Sequence, residues 1–172
     1  ARYGFRPEPF YLGVGFVVFG LTLSALAVRD TVHHVAAESE VCGVLSPENV
    51  PTQSDVFWRT TLRDRNLSSV SQAGLVNNLN DGMAWGVFPL FFAAAHMDLE
   101  QIGTLAAVYP ATWGVAQLFT GAWSDRIGRK WLITSGMWVQ AAGIGVVILA
   151  GGFFGFAFGA ALLGIGTAMV YP

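Results

Sequence analysis

The sequence predicts an all-α fold, an integral membrane helical bundle. Three observations carry this expectation: too little polar surface to cover a soluble core, five apolar stretches of membrane-spanning length, and charge gathered in the connections between them. Of 172 residues, 53% are hydrophobic and 12% are charged, about half the roughly 25% usual for a soluble domain. Mean hydropathy is +0.52.

The expected spans are 10–28, 70–95, 102–123, 131–150 and 152–171. Each approaches or exceeds the about 20 residues that a helix needs to cross a hydrocarbon core of about 30 Å. A barrel would show shorter stretches of alternating polarity, so helices are the consistent reading. About forty residues separate the first span from the second, whereas the later connections are a few residues long, as antiparallel neighbours require.

Basic residues orient the spans, because they collect on the cytoplasmic side of short loops. Arg29, Arg59, Arg63 and Arg65 lie in the long connection, and Arg126, Arg129 and Lys130 follow the third span. Both connections are therefore expected inside. "HMDLEQ" and the turn at Gly151 and Gly152 carry no lysine or arginine and are expected outside, with Arg2 and Arg6 as a minority there. Asp98 and Gln101 form a capping-box pattern for the third span, and Asn66 or Ser68 can cap the second. In "SDVFWRTTLRDRNL", Phe57, Trp58 and Leu62 stand beside Arg59, Arg63 and Arg65. That composition suits a short helix in the headgroup region and equally a solvated linker. Residues 36–53, with Glu38, Glu40, Pro47 and Pro51, have the composition of a flexible connection.

Several classes are disfavoured. A net charge of −2 without a basic stripe argues against a nucleic-acid partner. Cys42 has no cysteine with which to form an intramolecular disulfide. His33 and His34 lack acidic or cysteine partners at ligand spacing, so neither metal nor cofactor is expected. No nucleophile elbow, Walker loop or zinc-protease string occurs, so the chain is not expected to be an enzyme. It begins at Ala1 and ends at Pro172 directly after an apolar stretch, and reads as a segment of a longer polypeptide.

Charge returns in "GAWSDRIGRK", residues 121–130. Its glycines permit a tight reversal, and Asp125 and Arg129 are four apart, the spacing of a pair across one helical turn. Asp125 can also face a helix N-terminus, while Arg126, Arg129 and Lys130 can meet anionic lipid or neighbouring carboxylates. A plain positive-inside anchor fits equally. Gly121, Asp125, Arg126, Gly128, Arg129 and Lys130 match G-x-x-x-D-R-x-G-R-K, which resembles the cytoplasmic loop motif of the major facilitator superfamily, found between helices two and three and again between helices eight and nine. "AVRDT", "GLVNNLNDGMAWGVFPLFF" and "GIGTAMVYP" are similar to segments of bacterial permeases in the same family.

The resemblance implies part of a twelve-helix transporter fold. One span, a long cytoplasmic connection, then two spans before the motif correspond to helix six, the central loop and helices seven to ten. On this reading 1–28 is the last helix of the N-terminal half, 29–68 the central loop and 69–172 the first four helices of the C-terminal half. A rival assignment makes the second span helix one and leaves the first as an extra. The family mechanism is alternating access between two halves that rock around a central site. The resemblance makes Asp125 and Arg129 a cytoplasmic latch, supported by Arg126.

The second span carries Gln72, Asn77, Asn78, Asn80 and Asp81. A charged aspartate at mid-bilayer costs about 2.5–3.5 kcal/mol, so Asp81 is expected to face the bundle interior with a partner. Asn77, Asn80 and Asp81 share one helical face at i, i+3 and i+4. Gly82 and Gly86 permit close approach of another helix, and Pro89 permits a kink. Proton exchange at Asp81, substrate binding by the asparagines and purely interhelical hydrogen bonding all fit. Trp113 and Gln117 with Tyr109, and Gln140 with Trp138, are candidate cavity residues or packing residues. Gly143 and Gly145, and Gly151, Gly155 and Gly159, read as close helix contacts. The leading functional reading is a multi-pass secondary transporter of the cytoplasmic membrane that moves a small molecule, with a proton as coupling ion and the lipid bilayer and the remaining helices of the same polypeptide as partners. A membrane-embedded enzyme and a non-transporting scaffold are the alternatives.

Overall fold

The structure is a computed structural model that describes residues 8–27 and 52–171. Arg2, Arg6, Arg29, His33, His34, Glu38, Glu40, Cys42, Pro47 and Pro51, with the expectations attached to them, lie outside the described residues. Two compact units are distinguished, Ala1–Thr52 and Gln53–Pro172. In the first, helix α1 spans Glu8–Ala27, 20 residues, against the expected 10–28. Thr22 returns its hydroxyl to the carbonyl of Val18 at 2.7 Å, which satisfies it within an apolar helix.

The second unit begins with a short helix α2, Gln53–Trp58, followed by a π-helical turn at Arg59–Arg63. The stretch that composition offered to a headgroup helix or a linker is helical. Phe57 and Trp58 meet edge to face with ring centroids 5.6 Å apart, and Val56, Phe57, Trp58 and Leu62 remain exposed. Ser71 ties the turn to the next helix by donating to the carbonyl of Thr60 at 3.2 Å.

Four long helices follow: α3 (Arg65–Ala94), α4 (Leu99–Ile127), α5 (Arg129–Leu149) and α6 (Phe153–Val170). Among the described residues every regular element is helical. The start of α3 corrects the sequence expectation. Neither Asn66 nor Ser68 is the cap; Asp64 is, accepting from the amides of Asn66 at 2.9 Å and Leu67 at 3.0 Å. Hydropathy marks where lipid contact begins, but the hydrogen-bonded helix continues through polar residues to the nearest side chain that can satisfy its first amides. The capping box of α4 forms as expected: Gln101 donates its amide to Asp98 Oδ1 at 2.8 Å, and the Asp98 amide reaches Gln101 Oε1 at 3.1 Å. His96, at φ 62°, makes the sharp turn between α3 and α4.

Helices α5, 21 residues with a mean hydropathy of 1.8, and α6, 18 residues with 1.9, are long and apolar enough to cross a membrane. Helices α3 and α4 are longer, at 30 and 29 residues, but their polar residues lower the mean. Helix α6 is the packing centre, lying against both α4 and α5. Its contact with α5 depends on Gly143 and Gly159: a Cβ on Gly143 would stand 2.8 Å from the Leu163 amide nitrogen and 2.9 Å from the Gly159 carbonyl. Backbones this close gain van der Waals contact that larger residues would forfeit. Gly145, Gly151, Gly82 and Gly86 meet no neighbour within 4 Å among the described residues, so the expected close contact at those positions does not form in this unit. Gly155 approaches only Ala150, in the turn before its own helix.

The core gathers Phe88 and Phe92 of α3, Leu105 and Tyr109 of α4, Val147 of α5, and Phe156 and Leu163 of α6. Phe92 and Phe156 approach with centroids 5.0 Å apart. Large apolar side chains also cover the outside, including Leu118, Trp138, Leu149 and Phe154. An outer surface of that kind suits lipid or further helices rather than water.

Candidate polar site within the helical bundle

The apolar helices α3, α4, α5 and α6 each contribute a polar side chain to one hydrogen-bonded cluster. Helix α3 supplies Asn77, Asn80 and Asp81 from a single face, and Asn77 is fully buried. Gln140 of α5 and Thr167 of α6 are buried beside it. Gln140 Nε2 donates to Asn77 Oδ1 and, at 3.0 Å, to Thr167 Oγ1, while its Oε1 accepts from Asn80 Nδ2 at 2.8 Å. Thr167 donates in turn to the carbonyl of Leu163 at 3.0 Å.

Tyr109 of α4 completes the chain. Its hydroxyl donates to Asp81 Oδ1 and lies 3.2 Å from Thr167 Oγ1. The partner expected for Asp81 is thus a phenol, and among the described residues no cation pairs with it. A continuous path of hydrogen-bonding groups runs Asp81, Tyr109, Thr167 and Gln140, and branches there to Asn77 and to Asn80. In a bundle of low dielectric such a network is strong when satisfied and costly when broken.

Trp113, one turn beyond Tyr109, stacks on it at a tilt with centroids 6.1 Å apart. Trp85 of α3 meets the same ring edge to face at 6.1 Å. Two donors at the cluster, Trp113 Nε1 and Asn77 Nδ2, are buried without a hydrogen-bond partner among the described residues, as is Thr120 Oγ1 about two turns further along α4. Buried donors without partners are rare, and these mark positions where a ligand or water can be held.

The structure therefore brings together Asn77, Asn80, Asp81 and Gln140, with Trp113 adjoining. Gln117 stands apart. It is exposed, and its amide donates to the carbonyl of Tyr171 at 3.3 Å, because its position on α4 faces the end of α6 rather than the cluster. Thr167 was missed from sequence. Its signal is a hydroxyl within "GIGTAMVYP", an otherwise apolar stretch, but back-bonding to the helix accounts for most such hydroxyls, and only the crossing with α5 singles it out.

At the far end of α4, the loop motif straddles a helix break. Helix α4 ends at Ile127 and α5 begins at Arg129, with Gly128 between them at φ +90°, a conformation that L side chains rarely adopt. The motif glycine thus has a conformational reason. The same break separates Asp125 from Arg129, so the spacing expected to pair them across one helical turn spans two helices instead, and no ion pair joins them among the described residues. Asp125, Arg126, Arg129 and Lys130 are all exposed, and Gly121 lies about one turn before Asp125 on α4.

Known proteins share this sequence pattern. The family described as Major Facilitator Superfamily matches residues 70–172, more than half of the chain. Fosmidomycin resistance protein of Escherichia coli (strain K12) is 26% identical over 106 residues, covering 62% of this chain and 26% of that protein. Inner membrane transport protein YajR of the same organism is 43% identical over 66 residues, covering 38% of this chain and 14% of that protein. The chain thus aligns with about a quarter or less of the length of each of these relatives. No solved structure matches. The family match runs through α3, α4, α5 and α6, the helices that build the polar cluster and carry the loop motif, and the chain belongs to the Major Facilitator Superfamily.

Proposed function

We propose that this chain is part of a secondary transporter of the cytoplasmic membrane that moves a small molecule by alternating access, driven by protons. The observation that carries the reading is the network from Asp81 through Tyr109 and Thr167 to Gln140, Asn77 and Asn80, which joins four helices inside an apolar bundle. An ionisable carboxyl at that depth is expensive unless it works, and intramembrane carboxyls are recurrent proton carriers. Tyr109 gives Asp81 a neutral partner, so protonation of Asp81 redirects one hydrogen bond instead of stranding a cation. The unpartnered donors of Trp113 and Asn77 beside it suit a neutral or cationic, partly aromatic substrate with acceptor groups. The name of the fosmidomycin resistance relative favours export.

Five membrane spans, α1 and α3 to α6, belong to this reading, with α2 and its π-helical turn in the headgroup region. In it Asp125, Arg126 and Arg129 latch the cytoplasmic face in one conformation through partners on other helices of the polypeptide.

The test uses the full-length protein in proteoliposomes. Asp81→Asn keeps the shape and accepts the Tyr109 hydroxyl, but carries no proton. It is expected to lose uptake driven by a pH gradient, by at least tenfold, and to retain substrate counterflow. Gradient-driven transport equal to wild type would remove Asp81 from the coupling step, and absence of counterflow in the wild type would remove the transporter reading altogether.

A second reading is favoured by Gln140, whose amide is fully used and almost fully buried. On that reading the cluster chiefly fastens α3 to α5 and α6. It predicts that Asp81→Asn leaves both gradient-driven transport and counterflow unchanged.

A further inference from the structure

A groove of about 960 Å³ opens between α3 and α5, away from the polar cluster. Arg65, the first residue of α3, and Arg129 and Lys130, the first two of α5, stand at its mouth. Among the described residues none of the three has a carboxylate within ion-pair distance. Helix α5 starts without a side-chain cap, so its first amides add to the positive end. Below the mouth the lining is mostly apolar: Val70 and Ala73 on one helix and Ile133, Met137 and Trp138 on the other, with the small hydroxyls of Ser69 and Thr134 among them. Trp138, eight residues past Lys130, lies about 12 Å deeper along the helix, and it is 75% exposed.

Charge at one end and hydrocarbon-like wall at the other define the occupant. We infer that this groove binds an anionic phospholipid, with its phosphate at Arg65, Arg129 and Lys130 and its acyl chain along Val70, Ile133 and Trp138. A small inorganic anion would satisfy the mouth and leave the wall uncovered. A zwitterionic lipid carries its own cation and gains less from three uncompensated positive charges. The cytoplasmic leaflet is where anionic lipids meet basic clusters at helix ends, each basic residue strengthening binding about fivefold. The proposal rests on the reading of α3 and α5 as membrane spans. It bears on function because Arg129 and Lys130 belong to the loop motif, so an occupied groove biases the position of that loop.

The experiment measures retention of short-chain phosphatidylglycerol, against phosphatidylcholine of equal chain length, on the full-length protein in detergent by native mass spectrometry. Wild type is expected to retain phosphatidylglycerol about tenfold better. Arg65→Gln lowers that preference about fivefold, and Arg65→Lys restores most of it. Ala73→Trp, which fills the apolar wall without touching a charge, removes both lipids. Equal retention of the two lipids, displacement of phosphatidylglycerol by millimolar inorganic phosphate, or no retention of either lipid because another helix fills the groove would each overturn the assignment. The readout needs no turnover: selective retention by a protein that fails in counterflow supports the lipid site while removing the transporter reading.

Discussion

Gln140 makes three hydrogen bonds with one amide, and the arrangement assigns its atoms. The carbonyl oxygen accepts from Asn80, and the nitrogen donates to Asn77 and Thr167. Replacing it by leucine keeps a similar volume but removes the partner of Asn77, which is fully buried, and of Asn80, which is half-buried. Interhelical hydrogen bonds in membranes average about 0.6 kcal/mol, whereas a buried polar group left unmade costs about 1–3 kcal/mol. Because the Asn77 carbonyl is stranded in full burial, the second figure governs. Gln140→Leu is expected to lower stability by about 1–3 kcal/mol, read as an earlier thermal transition of the full-length protein in detergent. Gln117→Leu, at an exposed position outside the cluster, is expected to stay within about 0.5 kcal/mol of wild type. Equal shifts for the two would mean that the network contributes little.

At the scale of elements, helix termini and glycines decide the arrangement. Asp64 and the Asp98 and Gln101 pair start α3 and α4, and Gly128 allows α4 and α5 to be joined by a single residue outside the helices. The α5 and α6 crossing is set by Gly143 and Gly159, where a single added carbon meets backbone that cannot rotate away. Gly143→Val is expected to force the helices apart at about 1–3 kcal/mol, the usual range for overpacking. Gly145→Val, on the same helix but with no neighbour within 4 Å among the described residues, removes a glycine from a helix interior and adds no clash with them. Thermal stability of the two variants should therefore separate clearly, with Gly145→Val near wild type. The pair distinguishes a close crossing from a general intolerance of bulk in α5.

For the whole molecule, the groove shared by Arg65, Arg129 and Lys130 places the starts of α3 and α5 at one end of the unit. That is what both basic connections lying on the same side of a membrane requires. The latch proposed for the loop motif acts at this level, since Asp125 finds no ion partner within the described residues. Asp125→Asn is expected to cut transport several-fold while leaving membrane insertion and thermal stability intact, measured as proteoliposome uptake against the amount of protein inserted. Undiminished uptake would return the motif to a simple positive-inside anchor.

The sequence by itself determined the all-helical class, each long helix to within a few residues and the family, because apolar runs, capping pairs and the "GAWSDRIGRK" string are local patterns whose physics acts over one or two turns. It also singled out Asn77, Asn80, Asp81 and Gln140, since polar groups in apolar helices are costly wherever they sit. Which of those side chains meet was decided by tertiary structure: residues 60 or more positions apart, such as Asn80 of α3 and Gln140 of α5, touch only where their helices are brought side by side. Tertiary structure likewise joined Tyr109 to Asp81, enlisted Thr167, set Gln117 aside, and brought Arg65 to one groove with Arg129 and Lys130. Helical periodicity specifies a face, and only the crossing of helices specifies what that face meets.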